Sequence, residues 1–299
     1  MGSSTVCHLC GGQSKQKPAP PIAIGNDVFH DHCGLARCAK CKVRFVDPRP
    51  SDSQLSAFYN TPGYDCHNPI FSSDPHIRLN IIERFIKPGS LCDFGAGAGK
   101  LLECARTRGW TVSGVEPGRS REQLESQGFN VQEDLTKIEP TDVISMIHVL
   151  EHCPSPVEVL STLGKKLLPD GVLYIEVPNA DSLRARLADS FLKPLWTHAP
   201  ERYLAFPIHL FYFNSFSLTR LLKKCDYQIV EIGTMGMGVE ELFTPAPVSA
   251  SAPAQSAAAV EAKSASFQPL RKVIKSVMYN LHLGENLYII AKNASRTEG

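Results

Sequence analysis

The chain alternates short apolar runs with amphipathic segments over residues 89–180. Runs such as residues 142–148 and 172–177 are nearly continuous in apolar side chains, like strands that are buried on both faces of a parallel sheet. Between them, segments such as residues 156–168 repeat apolar side chains at the period of a helix. Strands that alternate with helices in this way predict an α/β fold with a doubly wound sheet.

Glycine, proline and polar turns set the bounds of the predicted elements. The predicted strands are residues 91–94, 110–116, 129–134, 142–148, 172–177, 226–233 and 284–292. The predicted helices are residues 52–59, 76–86, 100–106, 119–127, 156–168, 181–192, 218–224 and 270–281. In the second of these helices, the apolar residues at helical period, which should pack on the sheet, are Ile77, Ile81, Ile82, Phe85 and Ile86.

Changes in composition predict three parts of the chain. Residues 1–46 hold two pairs of cysteines, and residues 47–88 combine a proline-rich turn with helices that would form a connector or cap. Residues 89–299 carry the predicted sheet. Within them, about 181–217 is aromatic, interrupted by proline and rich in histidine, as a lid is. Residues from about 244 to 266 are mostly Ala, Ser and Pro, which predicts a disordered insertion within this domain.

Charge and composition exclude several classes of protein. Hydrophobic residues make up 43% and charged residues 20% of the chain, as in globular proteins. The 31 basic and 30 acidic side chains nearly cancel, so no general attraction to nucleic acid or to a membrane surface is expected. The N-terminus lacks a signal-peptide pattern and no apolar run is long enough to span a bilayer, which predicts a cytoplasmic protein.

A glycine-rich turn follows the first strand of the predicted sheet. Gly95, Gly97 and Gly99 have no Cβ atoms, so the backbone there can approach a ligand closely. The next strand ends at Glu116, where a carboxylate can accept hydrogen bonds from ribose hydroxyls. A tight turn with no ligand is the alternative. The spacing G-x-G-x-G differs from the G-x-G-x-x-G/A of dinucleotide sites, which predicts a different nucleoside ligand.

The N-terminal cysteines have the spacing of a metal site. Cys7 and Cys10 form one C-x-x-C pair and Cys38 and Cys41 form another, and four thiolates can close a structural Zn²⁺ site. The intervening segment is longer than in the commonest zinc ribbons. It also contains side chains that could replace a ligand, namely His30, His32 and Cys33. A metal-free hairpin with incidental thiols is the other reading of the same residues.

The motif D-F-G-A-G-A-G at residues 93–99 resembles motif I of class I S-adenosylmethionine-dependent methyltransferases, and G-V-E-P at residues 114–117 resembles their second motif. The segments H-V-L-E-H-C-P at residues 148–154 and L-P-D-G…P-N at residues 168–179 are similar to later motifs of this family. The resemblance implies a Rossmann-like sheet whose final strand runs antiparallel between strands five and six. It also implies cofactor contacts by Asp93, Gly95, Ala96, Gly97, Gly99, Glu116, Pro117, Asp134 and His148.

The cysteine pairs and the H-L-x-x-F-x-x-x-S-L pattern that starts at His209 resemble a subgroup with an N-terminal zinc-binding module. Members of that subgroup methylate sugars and other small metabolites. The resemblance implies His209 as the general base, with His152 second and His198 third. It also implies that Glu151 and His152 edge the acceptor pocket and that Tyr59 and Tyr64 can reach the active site, although Tyr59 can also be read as a core aromatic. The subgroup's carboxylate before this histidine is replaced here by Ile208, which leaves C-, O- and N-methylation open.

The expected function is therefore methyl transfer from S-adenosylmethionine to a small-molecule acceptor, with Zn²⁺ in a structural site. Three alternatives remain at this point. An RNA or protein methyltransferase would use the zinc ribbon for recognition, although the balanced charge argues against nucleic acid. A nicotinamide-dependent oxidoreductase would share the sheet, although the glycine spacing argues against it. A cofactor-binding scaffold without catalysis would dock a partner through the zinc module.

Overall fold

The computed structural model describes residues 4–18, 34–51, 53–55, 74–117, 119–187, 209–236 and 281–294. Several expectations fall outside these residues. They concern His30, His32, Cys33, Tyr59, Tyr64, His198, the insertion at about 244–266 and nearly all of the helix predicted at 270–281. The described parts of the predicted lid are residues 181–187 and 209–217.

The described chain forms twelve strands and six α-helices, and residues 53–55 are also helical. In chain order the elements are β1 (Ser4–Val6), β2 (Gln13–Pro18), β3 (Gly34–Cys38), β4 (Arg44–Asp47), α1 (Pro75–Ile82), β5 (Ser90–Phe94), α2 (Lys100–Thr107), β6 (Thr111–Val115), α3 (Arg119–Ser126), β7 (Asn130–Gln132), β8 (Thr141–Ile147), α4 (Pro156–Lys166), β9 (Leu167–Pro178), α5 (Leu183–Leu187), β10 (Phe211–Tyr212), α6 (Ser215–Lys224), β11 (Tyr227–Met235) and β12 (Asn286–Asn293). Two 3₁₀ turns, Leu135–Lys137 and Leu150–His152, follow β7 and β8.

Seven strands form the larger sheet, in the order β11-β12-β9-β8-β5-β6-β7. The strands from β9 to β7 in this order are parallel, and β12 is antiparallel to both β9 and β11. The predicted Rossmann-like sheet with a final antiparallel strand is confirmed. The chain order reverses at β5 and β8, and ligands of such sheets bind beyond the carboxyl ends of the strands at this point.

Apolar side chains alternate between the two faces of this sheet. Along β5, Leu91 joins a cluster that contains residues of α1 and α2, whereas Cys92 joins a cluster that contains residues of α4 and α6. Along β8, Val143 and Ile144 divide in the same way. Both faces are therefore covered by helices, which explains the nearly continuous apolar runs in these strands.

Three local expectations were wrong in detail. Ile77 is 48% exposed, whereas Ile82 is buried as predicted and α1 also buries Arg78 and Leu79. The strand predicted at 129–134 spans only Asn130–Gln132, and a 3₁₀ turn begins at Leu135 with Asp134 as its N-cap. Helix α6 begins at Ser215 rather than at residue 218, because Asn214 and Ser217 form a capping box that satisfies the first backbone N–H groups.

The N-terminal strands form a second sheet, in the order β1-β2-β3-β4-β10. Strand β10 comes from the second half of the chain and pairs antiparallel with β4, so that Phe211 lies opposite Phe45. The backbone N–H of Val46 also donates to the carbonyl of Leu210 at 3.0 Å. The cysteine-bearing hairpins are thus joined to the chain segment directly after His209. Across the described ranges, no helix combines the length and apolar character needed to cross a membrane.

Candidate functional site

The glycine turn after β5 brings together two of the predicted cofactor residues. Gly95, Gly97 and Gly99 all have positive φ, at 81°, 52° and 75°. The backbone N–H of Gly97 donates to Oε2 of Glu116 at 2.7 Å. Burial raises the pKa of the Glu116 carboxyl group, and the Gly97 hydrogen bond opposes that rise. The turn and the carboxylate therefore face one another across the ends of β5 and β6.

Gly95 cannot carry a side chain without disturbing the turn. A Cβ atom there would lie 2.3 Å from Cγ2 of Val149, in a backbone conformation that side chains already disfavour. We expect Gly95→Ala to lower the unfolding free energy by about 2–4 kcal/mol, measured by denaturant unfolding. Gly109→Ala is the matched control, since Gly109 has φ 89° and a Cβ there meets no atom within 4 Å. Equal losses in the two variants would contradict the steric contribution.

The other predicted cofactor residues occupy different environments. Asp93 is buried, and Oδ1 accepts a hydrogen bond from Ser145 Oγ at 2.7 Å. Burial raises the pKa of the Asp93 carboxyl group to about 7 despite that hydrogen bond. Ala96 is buried in the turn and Pro117 is exposed. Asp134 is exposed, and its side chain caps the 3₁₀ turn after β7 by accepting from Thr136 N at 2.7 Å.

His148 lies at the end of β8 between two carboxylates. Its Nδ1 atom is 3.4 Å from Glu151 Oε1, and its Nε2 atom is 3.4 Å from Glu176 Oε1. Burial opposes ionisation of the ring, but Glu151 and Glu176 together raise the pKa of His148 to about 9. His148 also has φ 55°, which is uncommon for a residue with a side chain. Such conformations cluster at functional sites.

Sequence reasoning missed Arg78 and Glu176. Arg78 donates from Nε and Nη2 to the two carboxylate oxygens of Glu176, at 2.7 and 2.9 Å. Burial alone would raise the pKa of Glu176. Arg78 and His148 instead lower this pKa to about 2. The available signal was a single glutamate within the apolar run V-L-Y-I-E-V of β9. An ionised side chain at such a position requires a buried partner.

The acceptor-side residues lie together at the end of β8. A carboxylate oxygen of Glu151 and one ring nitrogen each of His152 and His209 lie within 4.8 Å of one another. The rings of His152 and His209 meet edge to face, with centroids 4.7 Å apart. Glu151 is only 1% exposed, and this burial would raise the pKa of its carboxyl group. The neighbouring His148, His152 and His209 instead lower that pKa. The predicted neighbours Glu151, His152 and His209 are therefore close in space.

The four predicted metal ligands also converge. The sulfur atoms of Cys7, Cys10, Cys38 and Cys41 all lie within 4.8 Å of one another. Zn²⁺ with four thiolates at ~2.3 Å places the sulfurs about 3.8 Å apart, so this arrangement fits a tetrahedral site. The backbone N–H groups of Lys40 and Cys41 both point to Sγ of Cys38 at 3.3 Å. Such bonds stabilise thiolate charge.

Backbone contacts connect the cysteine hairpins to the histidines. The N–H of Leu210, the residue after His209, donates to the carbonyl of Glu151 at 2.8 Å. The carbonyl of Leu210 accepts from Val46 of β4. On the other side of the hairpins, Lys224 Nζ donates to the carbonyl of Leu9 at 2.6 Å. The position of His209 is therefore fixed by the N-terminal sheet as well as by the larger sheet.

Comparison with known proteins agrees with this geometry. A family model described as "Methyltransferase domain" matches residues 74–232, more than half of the chain. The "Ubiquinone biosynthesis O-methyltransferase" of Actinobacillus pleuropneumoniae serotype 5b is 31% identical over 136 residues, which are 38% of this chain and 58% of the relative. The protein of the same name from Pseudomonas syringae pv. tomato is 32% identical over 127 residues, 37% of this chain and 54% of the relative. The chain thus spans little more than half the length of these relatives.

Among solved structures, a SAM-dependent methyltransferase from Archaeoglobus fulgidus is similar over 74% of this chain and 96% of its own, with 20% identity and a TM-score of 0.48. The family match decides between the methyltransferase and the nicotinamide-dependent oxidoreductase in favour of the former. The chain therefore belongs to the methyltransferase domain family, and the family predicted from the motifs is confirmed.

Proposed function

We propose that this protein transfers the methyl group of S-adenosylmethionine to a hydroxyl oxygen of a small-molecule acceptor, with His209 as the general base. The observation that carries the proposal is the juxtaposition of Glu151, His152 and His209 at the end of β8. This is the end of the sheet at which the glycine turn and Glu116 also lie. A cofactor site and an acid–base site thus share one edge of the sheet.

The cofactor would be held through the turn and the ends of β5 and β6. Glu116, which accepts from Gly97 at 2.7 Å, would accept from the ribose hydroxyls instead. The remaining predicted contacts would come from Asp93, Gly95, Ala96, Gly99, Pro117, Asp134 and His148. In this assignment His148 lies toward the methionine end of the cofactor. Because the glycines of the turn lack Cβ atoms, the backbone of the turn can lie close to the cofactor.

The acceptor would lie against the histidine pair. When bound, S-adenosylmethionine supplies an electrophilic methyl group on a sulfonium, and an acceptor oxygen displaces the sulfur in line. The chain has to align that oxygen and remove its proton. His209 would take the proton, with His152 beside it and the Glu151 carboxylate stabilising the resulting imidazolium. Tyr59 and Tyr64, which are outside the described residues, keep their proposed place at the acceptor pocket.

The four cysteines would hold a structural Zn²⁺ ion with no open coordination position. Residues 1–46 would form the zinc module, residues 47–88 the cap, and residues 89–299 the catalytic domain with a lid at about 181–217. The contacts of Leu210 with Glu151 and Val46 support a module that braces the acceptor side. A module that captures RNA would need a basic surface, and the net charge of +1 does not favour one.

The small-molecule acceptor rests on two considerations. The relatives named above are O-methyltransferases of ubiquinone biosynthesis by name, although the chain covers only part of their length. The balanced charge also provides no field for a macromolecular polyanion. Together they favour a hydroxylated metabolite over RNA or protein, and O-methylation over C- or N-methylation.

Glu116→Gln is expected to weaken the binding of S-adenosylmethionine. Glutamine keeps the size of the side chain but loses the negative charge that strengthens hydrogen bonds from ribose hydroxyls. The loss should be about 1.5–3 kcal/mol, or roughly 10- to 150-fold in Kd, measured by equilibrium dialysis with labelled cofactor. Glu122→Gln on helix α3 is a matched control, because Glu122 lies on the exposed side of a neighbouring element. Equal affinity in the wild type and in Glu116→Gln would contradict the assignment.

Transfer of an isotope-labelled methyl group tests the proposed function. The full chain is incubated with methyl-labelled S-adenosylmethionine and a cell extract that has been separated into metabolites and macromolecules. Label in a metabolite, with a mass gain of one methyl group at oxygen, is the expected result. Label in RNA or protein would contradict the proposed acceptor class.

A further inference from the structure

A buried charged side chain lies behind the acceptor histidines. Glu176 on β9 has no exposed surface, yet four donors fix its carboxylate. Arg78 donates twice, Tyr174 OH donates to Oε2 at 3.0 Å, and Asn286 Nδ2 donates to Oε1 at 3.1 Å. These donors come from α1, β9 and β12. The orientation of Glu176 is therefore determined by three separate elements.

Glu176 in turn orients His148. The backbone N–H of His148 donates to the backbone carbonyl of Glu176 at 2.9 Å, and ring Nε2 lies 3.4 Å from Oε1. The other ring nitrogen, Nδ1, faces Glu151 at the same distance. Both are ion-pair contacts, and a carboxylate on each side of the ring attracts its protonated form. The two carboxylates therefore favour an imidazolium at His148.

Glu151 continues the series toward the acceptor side. Its Oε1 atom faces His148 Nδ1 at 3.4 Å and His152 Nε2 at 4.0 Å. From α1 outward, the groups are a guanidinium, a carboxylate, an imidazolium, a second carboxylate and the histidine pair. Each charge thus lies beside charges of the opposite sign, which is the arrangement that fixes orientation in a low-dielectric interior.

We propose that Glu176, fixed by Arg78, is a positioning residue for the acceptor site: through His148 it holds the Glu151 carboxylate toward His152 and His209. Glu176 itself does not touch the acceptor. The inference rests on the proposed function, since it takes His152 and His209 as the groups that face the acceptor.

A purely structural role is the competing explanation. The Arg78–Glu176 pair also ties α1 to the sheet, and buried pairs of this kind are common without catalytic roles. Well-packed apolar side chains of the same volume serve stability as well or better, so stability alone does not require charges here. The two explanations differ in what they predict for the ionisation of the histidines.

The groups that determine these ionisations lie on several elements. In the described chain, the charged or titratable side chains around His148, Glu151 and the Arg78–Glu176 pair are Asp93 on β5, Tyr174 on β9, His152 and Cys153 at the 3₁₀ turn after β8, and His209 before β10. Removal of the Glu176 charge should favour neutral His148. Glu151 would then face the histidine pair without a competing cation, so His152 and His209 should protonate more readily.

Ring ¹⁵N NMR of the histidine-labelled full chain tests this inference without any acceptor. The spectra are followed from about pH 5 to about pH 10, and each ring is assigned through a His→Gln variant. In Glu176→Gln, we expect the pKa of His148 to fall by about one unit or more, and the pKa values of His152 and His209 to rise. The titration needs no acceptor, so its result can be interpreted even if the proposed function is wrong.

Glu231→Gln is the matched control. Glu231 on β11 also pairs with an arginine, Arg84, and accepts from a tyrosine, Tyr288 OH at 2.7 Å. It should leave the three titrations unchanged. If Glu176→Gln does not fold, the double variant Arg78→Met with Glu176→Gln replaces it, because it leaves no uncompensated buried charge. Unchanged titration of His148, His152 and His209 in a folded variant that lacks the Glu176 charge would overturn the inference.

Discussion

Cys38→Ser is expected to release zinc and to abolish methyl transfer. Cys38 lies at the end of β3, with Sγ 3.5 Å from Cys10 Sγ and two backbone N–H groups directed to it. A serine hydroxyl would be a much poorer ligand, and Zn²⁺ binding by such modules supplies about 10–16 kcal/mol of folding free energy. Loss of the metal should therefore unfold the cysteine hairpins rather than weaken them slightly.

The effect should reach the acceptor side through the second sheet. Strand β4 pairs with β10, and Leu210 links Val46 to Glu151, so unfolding of the hairpins removes a support of His209. Zinc per chain is measured by mass spectrometry of the metal, alongside methyl transfer to the acceptor fraction. Cys225→Ser is the control, because Cys225 is also buried but lies outside the cluster. A Cys38→Ser protein that keeps one zinc per chain and full activity would contradict the assigned ligands.

His209→Gln should lower kcat/KM by about 10²- to 10⁴-fold, the usual contribution of a general base. Glutamine keeps hydrogen-bonding capacity and similar size but cannot accept the acceptor proton. The Kd of S-adenosylmethionine should change little, since His209 is not among the proposed cofactor contacts. Steady-state rates as a function of pH, together with cofactor titration, separate the two effects.

The controls for His209 distinguish the base from its neighbours. His76→Gln makes the same substitution at an exposed histidine on α1 and should leave the rate near that of the wild type. His152→Gln should cost less than His209→Gln if His209 is the base. A larger loss of rate in His152→Gln than in His209→Gln would assign the role of base to His152. Wild-type rates in both variants would show that neither histidine takes the proton.

The sheet could be predicted from the sequence because its strands are buried on both faces. Residues 142–148 and 172–177 are apolar almost throughout, and β8 and β9 occupy these positions. The spacing of each C-x-x-C pair predicted two sulfurs on one turn, and the structure brings the two pairs together. The proximity of Glu151 and His152 to His209 was an implication of the family resemblance, and the geometry agrees with it.

Other features depend on contacts between residues distant in the chain. Strand β10 joins the N-terminal sheet through two residues, Phe211 and Tyr212, which are too few for a periodic signal. The pairing of Arg78 with Glu176 joins residues 98 positions apart, so no local pattern of the sequence indicates it.

The turn at Gly95–Gly99, together with Glu116, is proposed to bind S-adenosylmethionine. This binding is measured by isothermal titration calorimetry of the folded full chain with S-adenosylmethionine, and separately with NAD. We predict saturable binding of one S-adenosylmethionine per chain and no comparable binding of NAD. Absence of saturable S-adenosylmethionine binding at millimolar concentration, or tighter binding of NAD, would contradict the assignment.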